Sequence, residues 1–173
     1  TLINYEDMSK NLINAYVSIE DKTFFEHSGF NFIRMAGAVR DALLTDKRIG
    51  GTSTITQQLA RNIYLINEKY ERSINRKIKE AYYAIQLEKY LTKEQIIESY
   101  LNTIYLGSDS KGVQAASQKY FSKDARDLNL YESAILAGIP KSPANYQPMF
   151  SIKTKNVTDE DIVIKKKDEM YSY

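Results

Sequence analysis

Two adjacent carboxylates stand where a helical pattern stops. Glu20 and Asp21 end an apolar pattern with helical spacing, and acids at a helix C-terminus face the negative end of the helix dipole, which costs about 0.3–1 kcal/mol each. Both this field and any burial make the charged form of such a carboxyl less favourable. A carboxylate that therefore takes up a proton more readily is suited to act as a general base near neutral pH. The alternative is that both acids are exposed, or that one of them caps the next turn.

A further carboxylate, Glu80, sits among basic residues. On a helix it shares a stripe with apolar residues, while Arg76 and Lys77 precede it by one turn and can reach it. One interpretation is a plain helix salt bridge worth about 0.2–0.5 kcal/mol. The other is a basic rim around an acid, suited to a phosphate-bearing ligand. Arg61 and Arg72 would extend that rim if they fold nearby.

Polar residues also cluster after a glycine pair. Thr54 and Gln57 match a capping box, which explains Gln57 in part. It explains neither Gln58 nor the density of hydroxyl residues at 52–56. Backbone N–H groups at such a helix start can hold an anion.

His27, the only histidine, follows Phe24 and Phe25. It could be a catalytic base or a ligand. We favour a partly buried histidine that hydrogen-bonds to backbone and fixes a turn.

Length and composition narrow the function classes. The chain has 173 residues, the size of one domain, with a formal charge of +2 and no cysteine. The lack of cysteine excludes a disulfide framework and a thiol nucleophile, and one histidine argues against a Ser-His-Asp triad. No apolar run is long enough to span a membrane. Because the sequence starts and stops in mid-pattern, we expect it to be a piece of a longer protein.

The periodicity predicts a mainly α fold. The segment 30–44 mixes aromatics, aliphatics and arginine, as expected for either an interfacial or a packed amphipathic helix. The other predicted helices cover about 8–20, 55–64, 73–91, 93–107, 112–121 and 130–138.

Taken together and in order, five motifs resemble the signatures of the peptidoglycan glycosyltransferases, the transglycosylase module of class A penicillin-binding proteins and of monofunctional glycosyltransferases. The motifs are Glu20-Asp21-x-x-Phe24-x-x-His27-x-Gly29, Gly51-x-Ser53-Thr54-Ile55-Thr56-Gln57-Gln58, Arg76-Lys77-x-x-Glu80, Lys93-x-x-Ile96-x-x-x-Tyr100-Leu101-Asn102, and Leu130-x-Glu132-x-Ala134-x-Leu136-Ala137-Gly138-x-Pro140.

The resemblance implies one glycosyltransferase domain over 1–173, with a lysozyme-like helical head and a smaller membrane-associated jaw lobe within about 30–70. It implies polymerisation of lipid II: the GlcNAc 4-hydroxyl of lipid II attacks the lipid-pyrophosphate-linked growing chain, giving a β-1,4 linkage with inversion. A lysozyme-like muramidase or lytic transglycosylase is the alternative.

By the same resemblance, Glu20 is the general base and Glu80 acts on the leaving pyrophosphate side, directly or through a divalent metal, Mg²⁺ or Mn²⁺. The donor-site arginine is not assigned, because Gly37 occupies its position and Arg34 and Arg40 flank it. The implied substrate-binding residues are Asp21, Phe24, His27, Ser53, Thr54, Gln57, Gln58, Arg61, Arg72, Arg76, Lys77 and Lys79.

The implied partners are lipid II, the lipid-linked glycan and the membrane surface, with other cell-wall synthesis proteins left open. Moenomycin-type inhibitors are expected at the donor site, and nucleic acid is not expected. The implied location is the outer face of the bacterial cytoplasmic membrane. We expect an N-terminal anchor, absent from this chain, to hold the domain there.

Ser108-Asp109-Ser110-Lys111 matches a transpeptidase motif in spelling alone, and we expect any transpeptidase domain to lie outside this chain.

Overall fold

Capping boxes define the starts of three helices. In this computed structural model, which describes residues 2–32, 36, 37, 40, 44, 52–68 and 74–148, the caps are Thr54, Thr92 and Asn129. Each cap side chain accepts a hydrogen bond from the backbone N–H three residues later, and the Gln or Glu there bonds back.

The mainly α prediction is confirmed. Within the described ranges the helices are α1 (Lys10–Glu20), α2 (Ile55–Tyr64), α3 (Ile74–Tyr90), α4 (Lys93–Thr103), α5 (Val113–Phe121), α6 (Leu130–Gly138) and α7 (Pro143–Tyr146). Short 3-10 helices cover Tyr5–Asp7, Ile66–Glu68, Ala125–Asp127 and Ile139–Lys141. The predicted jaw lobe lies partly outside these ranges and stays a prediction. Among the described residues, no helix is both long and apolar enough to cross a membrane.

α4 ends at Thr103, before the glycine at which the sequence pattern placed its end. Gly107, Ser108 and Asp109 all have positive φ, and they form a tight turn closed by a bond from the Ser110 N–H to the Gly107 carbonyl (2.8 Å). Tyr105 and Lys111 pair across this turn as an isolated β-bridge. The residues at 108–111 that match the transpeptidase motif therefore form a tight turn.

The core is built around the last turns of α1. Helix α1 packs against α6, and α2 packs against both α3 and α4. Tyr16 and Tyr100 are fully buried and meet edge to face, with ring centroids 6.1 Å apart. The Tyr16 hydroxyl donates to the Leu136 carbonyl at 3.0 Å, so α1 is fixed to α6. This packing holds the C-terminal end of α1 in place.

α3 has two apolar faces, and only one is buried. Glu80, Ala84 and Leu87 lie on the buried face. Ile78 and Tyr82, on the other, are 62% and 58% exposed. Glu80 thus lies on the core side of the helix, as its stripe predicted.

Candidate active site

Glu20 is the last residue of α1, and its carboxylate is held by a side chain from α2. The Gln58 side-chain amide donates to Glu20 Oε2 at 2.8 Å. Tyr100 on α4 donates its hydroxyl to Gln58 Oε1 at 3.1 Å. Burial and the Glu20 charge raise the pKa of Tyr100 well above its usual value, so the phenol stays protonated and remains a donor. Three helices therefore fix this carboxylate.

Asp21 has a different role from its neighbour. It is fully buried, and its Oδ2 accepts bonds from the Ile55 N–H (3.1 Å) and from His27 Nε2 (2.8 Å). The Gly29 N–H donates to His27 Nδ1 at 3.1 Å, so Nδ1 accepts and Nε2 carries the proton that is donated to Asp21. His27 thus fixes the turn that follows α1, as the structural interpretation predicted.

Glu80 is fully buried in a group of cations. Arg76 donates to Oε1, Lys77 Nζ lies 2.8 Å from Oε2, and Arg61 reaches Oε1 at 3.6 Å. The three cations outnumber the single carboxylate, so the local charge is positive. Lys77 also donates to the Ser53 hydroxyl. This cluster can bind an anion with several negative oxygens.

One cavity of about 390 Å³ extends from Glu20 to the edge of the cluster around Glu80. Arg61 lines it and also lies against Glu80, and Ser53 lines it while bonding to Lys77. The described lining residues are Ile19, Glu20, Ser53, Gln58, Arg61, Pro140 and Lys141. Glu20 therefore lines a space that is also lined by Arg61, one of the three cations around Glu80.

A larger open groove of about 730 Å³ lies on the other side of Ile19. Its described lining residues are Ile19, Lys22, Thr23, Glu26, His27, Phe30, Asn31 and Phe32. Because Ile19 lines both spaces, they are neighbours at the end of α1, where Glu20 lies. This arrangement suits a transfer between two bound molecules.

The structure does not bring all the predicted site residues to these spaces. Asp21, Phe24, Thr54 and Gln57 are fully buried. Thr54 and Gln57 form the cap of α2, and the Thr54 hydroxyl donates to the Gly29 carbonyl at 2.7 Å. These four side chains do not line either cavity; they pack behind the residues that do.

Two further predicted positions, Lys79 and Arg40, are separate from the cluster. Lys79 bonds to Glu68 at 2.7 Å, on the exposed side of α3. Arg40 is exposed and lines neither space. Arg34, Arg72 and Gly51 lie outside the described residues.

The sequence patterns did not predict that Ile19, Pro140 and Lys141 line the cavity. Lys141 directly follows the last residue of the fifth motif, and a cation at that position was the available signal.

The surroundings of Glu80 do not fit a divalent cation. Its oxygens are occupied by Arg76 and Lys77, and a metal would meet repulsion from all three neighbouring cations. Within the described ranges, no group of three or more His, Cys, Asp or Glu side chains could hold a metal ion.

Sequence comparison decides the family. The model for the family described as "Transglycosylase" matches residues 1–168. The chain belongs to the transglycosylase family. This transglycosylase domain is similar to penicillin-binding protein 1A of Clostridium acetobutylicum (47% identical over 161 residues, 90% of the chain) and to penicillin-binding protein 1A of Escherichia coli (39% over 169 residues, 98% of the chain).

The transglycosylase domain is also similar to penicillin-binding protein 2D of Bacillus subtilis, at 47% identity over 143 residues, or 83% of the chain. The chain spans about a fifth of the length of these curated relatives. The predicted peptidoglycan glycosyltransferase domain is therefore confirmed at the level of family and general activity.

Proposed function

We propose that this domain polymerises lipid II. The proposed acceptor is the GlcNAc 4-hydroxyl of one lipid II molecule, and the proposed donor is a glycan chain joined through pyrophosphate to a lipid. The observation that carries the proposal is the cavity lined by both Glu20 and Arg61. Arg61 belongs to the cation cluster around Glu80, and Ser53, which also lines the cavity, bonds to Lys77 of that cluster.

In the proposed reaction, Glu20 takes the proton of the acceptor hydroxyl as its oxygen bonds to the anomeric carbon. The bond from that carbon to the pyrophosphate oxygen breaks, and the electron pair leaves with the diphosphate. Gln58 fixes the Glu20 carboxylate for this transfer. Attack and departure on opposite faces of the ring give inversion and the β-1,4 linkage.

The leaving diphosphate gains negative charge in the transition state. Arg61, Lys77 and Arg76 form a group of fixed cations that can stabilise that charge without reorganising. Glu80 holds these cations together. A muramidase or lytic transglycosylase has no diphosphate to release, so this cluster favours the transferase over that alternative.

The donor and acceptor are both lipid-linked, so the reaction takes place at a membrane surface. Phe25, Phe32 and Leu44 are 51%, 72% and 75% exposed, and such side chains favour contact with a bilayer. We place the domain at the outer face of the cytoplasmic membrane, with moenomycin-type inhibitors as competitors for the donor space.

The test uses radiolabelled lipid II. Glu20→Gln keeps the shape and the bond from Gln58 but removes the base, so glycan synthesis should fall at least about 1000-fold while lipid II still binds. Glu6→Gln, an exposed acid outside both cavities, is the matched control. Shortening of preformed glycan by the parent chain, with no new polymer, would instead establish a hydrolase or lyase.

A further inference from the structure

Lys93 stands at the electrostatically unfavourable end of its helix. It is the first residue of α4, where the positive end of the helix dipole repels a cation. Its side chain is 18% exposed, and it lines none of the described cavities. A lysine at this position needs favourable contacts that offset the repulsion by the helix dipole. The proposed transfer reaction assigns no role to Lys93.

The compensation comes from α3 and from the turn after α1. Lys93 Nζ lies 2.7 Å from Glu88 Oε1 and 2.5 Å from the His27 carbonyl oxygen. It also lies 4.6 Å from the centroid of the Phe24 ring. The ammonium thus contacts two residues of the turn 21–29, the segment that directly follows Glu20.

Glu88 connects Lys93 to α2. Its side chain is 7% exposed, and the same Oε1 accepts a bond from the Thr56 hydroxyl at 2.6 Å. Gly29 packs so closely that an added Cβ would lie 2.7 Å from the Ala84 carbonyl oxygen and 3.1 Å from Glu88 Cγ. The turn is therefore clamped between α2, α3 and α4.

We propose that Lys93, paired with Glu88, is a positioning residue for the transfer reaction. Lys93 holds the His27 carbonyl and His27 holds Asp21, whose neighbour is Glu20. Losing this clamp frees the turn and loosens the geometry of the base. The catalytic role rests on the proposed function, whereas the clamp itself is a property of the fold.

The first test measures lipid II polymerisation by the 173-residue chain. Lys93→Met should lower kcat about 10- to 100-fold, because small misplacements of a reacting group are costly. KM should change by no more than about threefold, since Lys93 touches no substrate. Lys93→Arg should restore part of the rate, and Lys89→Met, an exposed lysine near the same helix junction, should keep the parent's kcat.

A paired variant separates positioning from stability. Lys93→Met alone leaves the buried Glu88 charge uncompensated, so its thermal midpoint should fall. Glu88→Gln/Lys93→Met removes both charges and keeps an acceptor for Thr56, so the midpoint should recover. The rate should stay low, because nothing then donates to the His27 carbonyl. Recovery of midpoint and rate together would overturn the proposal.

His27 supplies a readout that does not depend on activity. As the only histidine, its ¹⁵N signals are unambiguous, and the parent should show one tautomer with the proton on Nε2. Lys93→Met should move both signals toward averaged values, whereas unchanged signals would refute the clamp. If the parent chain does not polymerise lipid II, the proposed function fails while this measurement still decides on the clamp.

Discussion

The Gln58 side-chain amide donates to the Glu20 carboxylate at 2.8 Å and joins residues 38 positions apart in the chain. The orientation of that amide is fixed by Tyr100, whose hydroxyl donates to Gln58 Oε1 at 3.1 Å. Because the Glu20 carboxylate can only accept, the amide turns its NH₂ group toward Glu20, and its Oε1 accepts from the phenol, which its raised pKa keeps protonated. The buried tyrosine therefore acts on the carboxylate through one intermediate side chain.

Tyr100→Phe tests this connection. The change keeps the ring packing and removes one hydroxyl, so the free energy of unfolding should fall by about 1 kcal/mol. The kcat of lipid II polymerisation should fall about tenfold, because the amide can then rotate away from Glu20. Chemical denaturation and initial rates measure the two effects. Tyr131→Phe, 80% exposed, is the control, and equal kcat values in the two variants would contradict the connection.

Two lysines on α3 offer a matched comparison. Lys77 bonds to Glu80 and Ser53, whereas Lys79 bonds to Glu68 on the exposed side. Lys77→Met should lower kcat/KM about 10- to 100-fold, because the leaving diphosphate loses a cation. Lys79→Met should lower it less than about twofold. Equal losses in steady-state assays would favour the sequence prediction, which placed both lysines at the pyrophosphate.

Local patterns predicted the helices well because their signals lie in adjacent residues. The caps Thr54, Thr92 and Asn129 were readable from a hydroxyl or amide followed three positions later by Gln or Glu. The end of α4 was missed, because the tight turn near Gly107 depends on pairing between Tyr105 and Lys111. A contact of that kind leaves little trace in helical periodicity.

The site was predictable in residue type and less so in geometry. The sequence placed Glu80 on a buried stripe with Arg76 and Lys77 in reach, and all three meet. Periodicity could not show that Lys79 bonds to Glu68 and not to the Glu80 cluster. It also could not show that Lys141, which is distant from Glu20 in the sequence, lines the same cavity as Glu20. Such long-range proximity is set by the packing of α1 against α6.

Lys141 gives a prediction that follows from the cavity alone. It lines the space beside Glu20 and is the one lysine among the described lining residues. Lys141→Met should raise KM for lipid II about three- to tenfold, because an anionic substrate loses a cation in the bound state. Steady-state kinetics at low and high salt measure the change, which should shrink at high salt. Lys123→Met, outside the described lining of that cavity, should leave KM unchanged.

Glu132 makes the free energy of unfolding depend on pH. Its pKa is lowered by a bond from Lys123 and by the backbone N–H of Asn129. Because the folded-state pKa lies below the unfolded value of about 4.5, the charge stabilises the fold above that pH. This contribution is lost as the pH falls through the lower folded-state value. Glu132→Gln keeps an acceptor for the cap but removes the charge.

The free energy of unfolding of Glu132→Gln should therefore be lower than the parent's at pH 7 and should approach it near pH 3. Urea denaturation at both pH values gives the comparison. Lys123→Met should show the same pH dependence, because it removes the other half of the pair. A difference between parent and Glu132→Gln that stays constant from pH 7 to pH 3 would mean that the substitution acts through packing of the α6 cap and not through the lowered pKa.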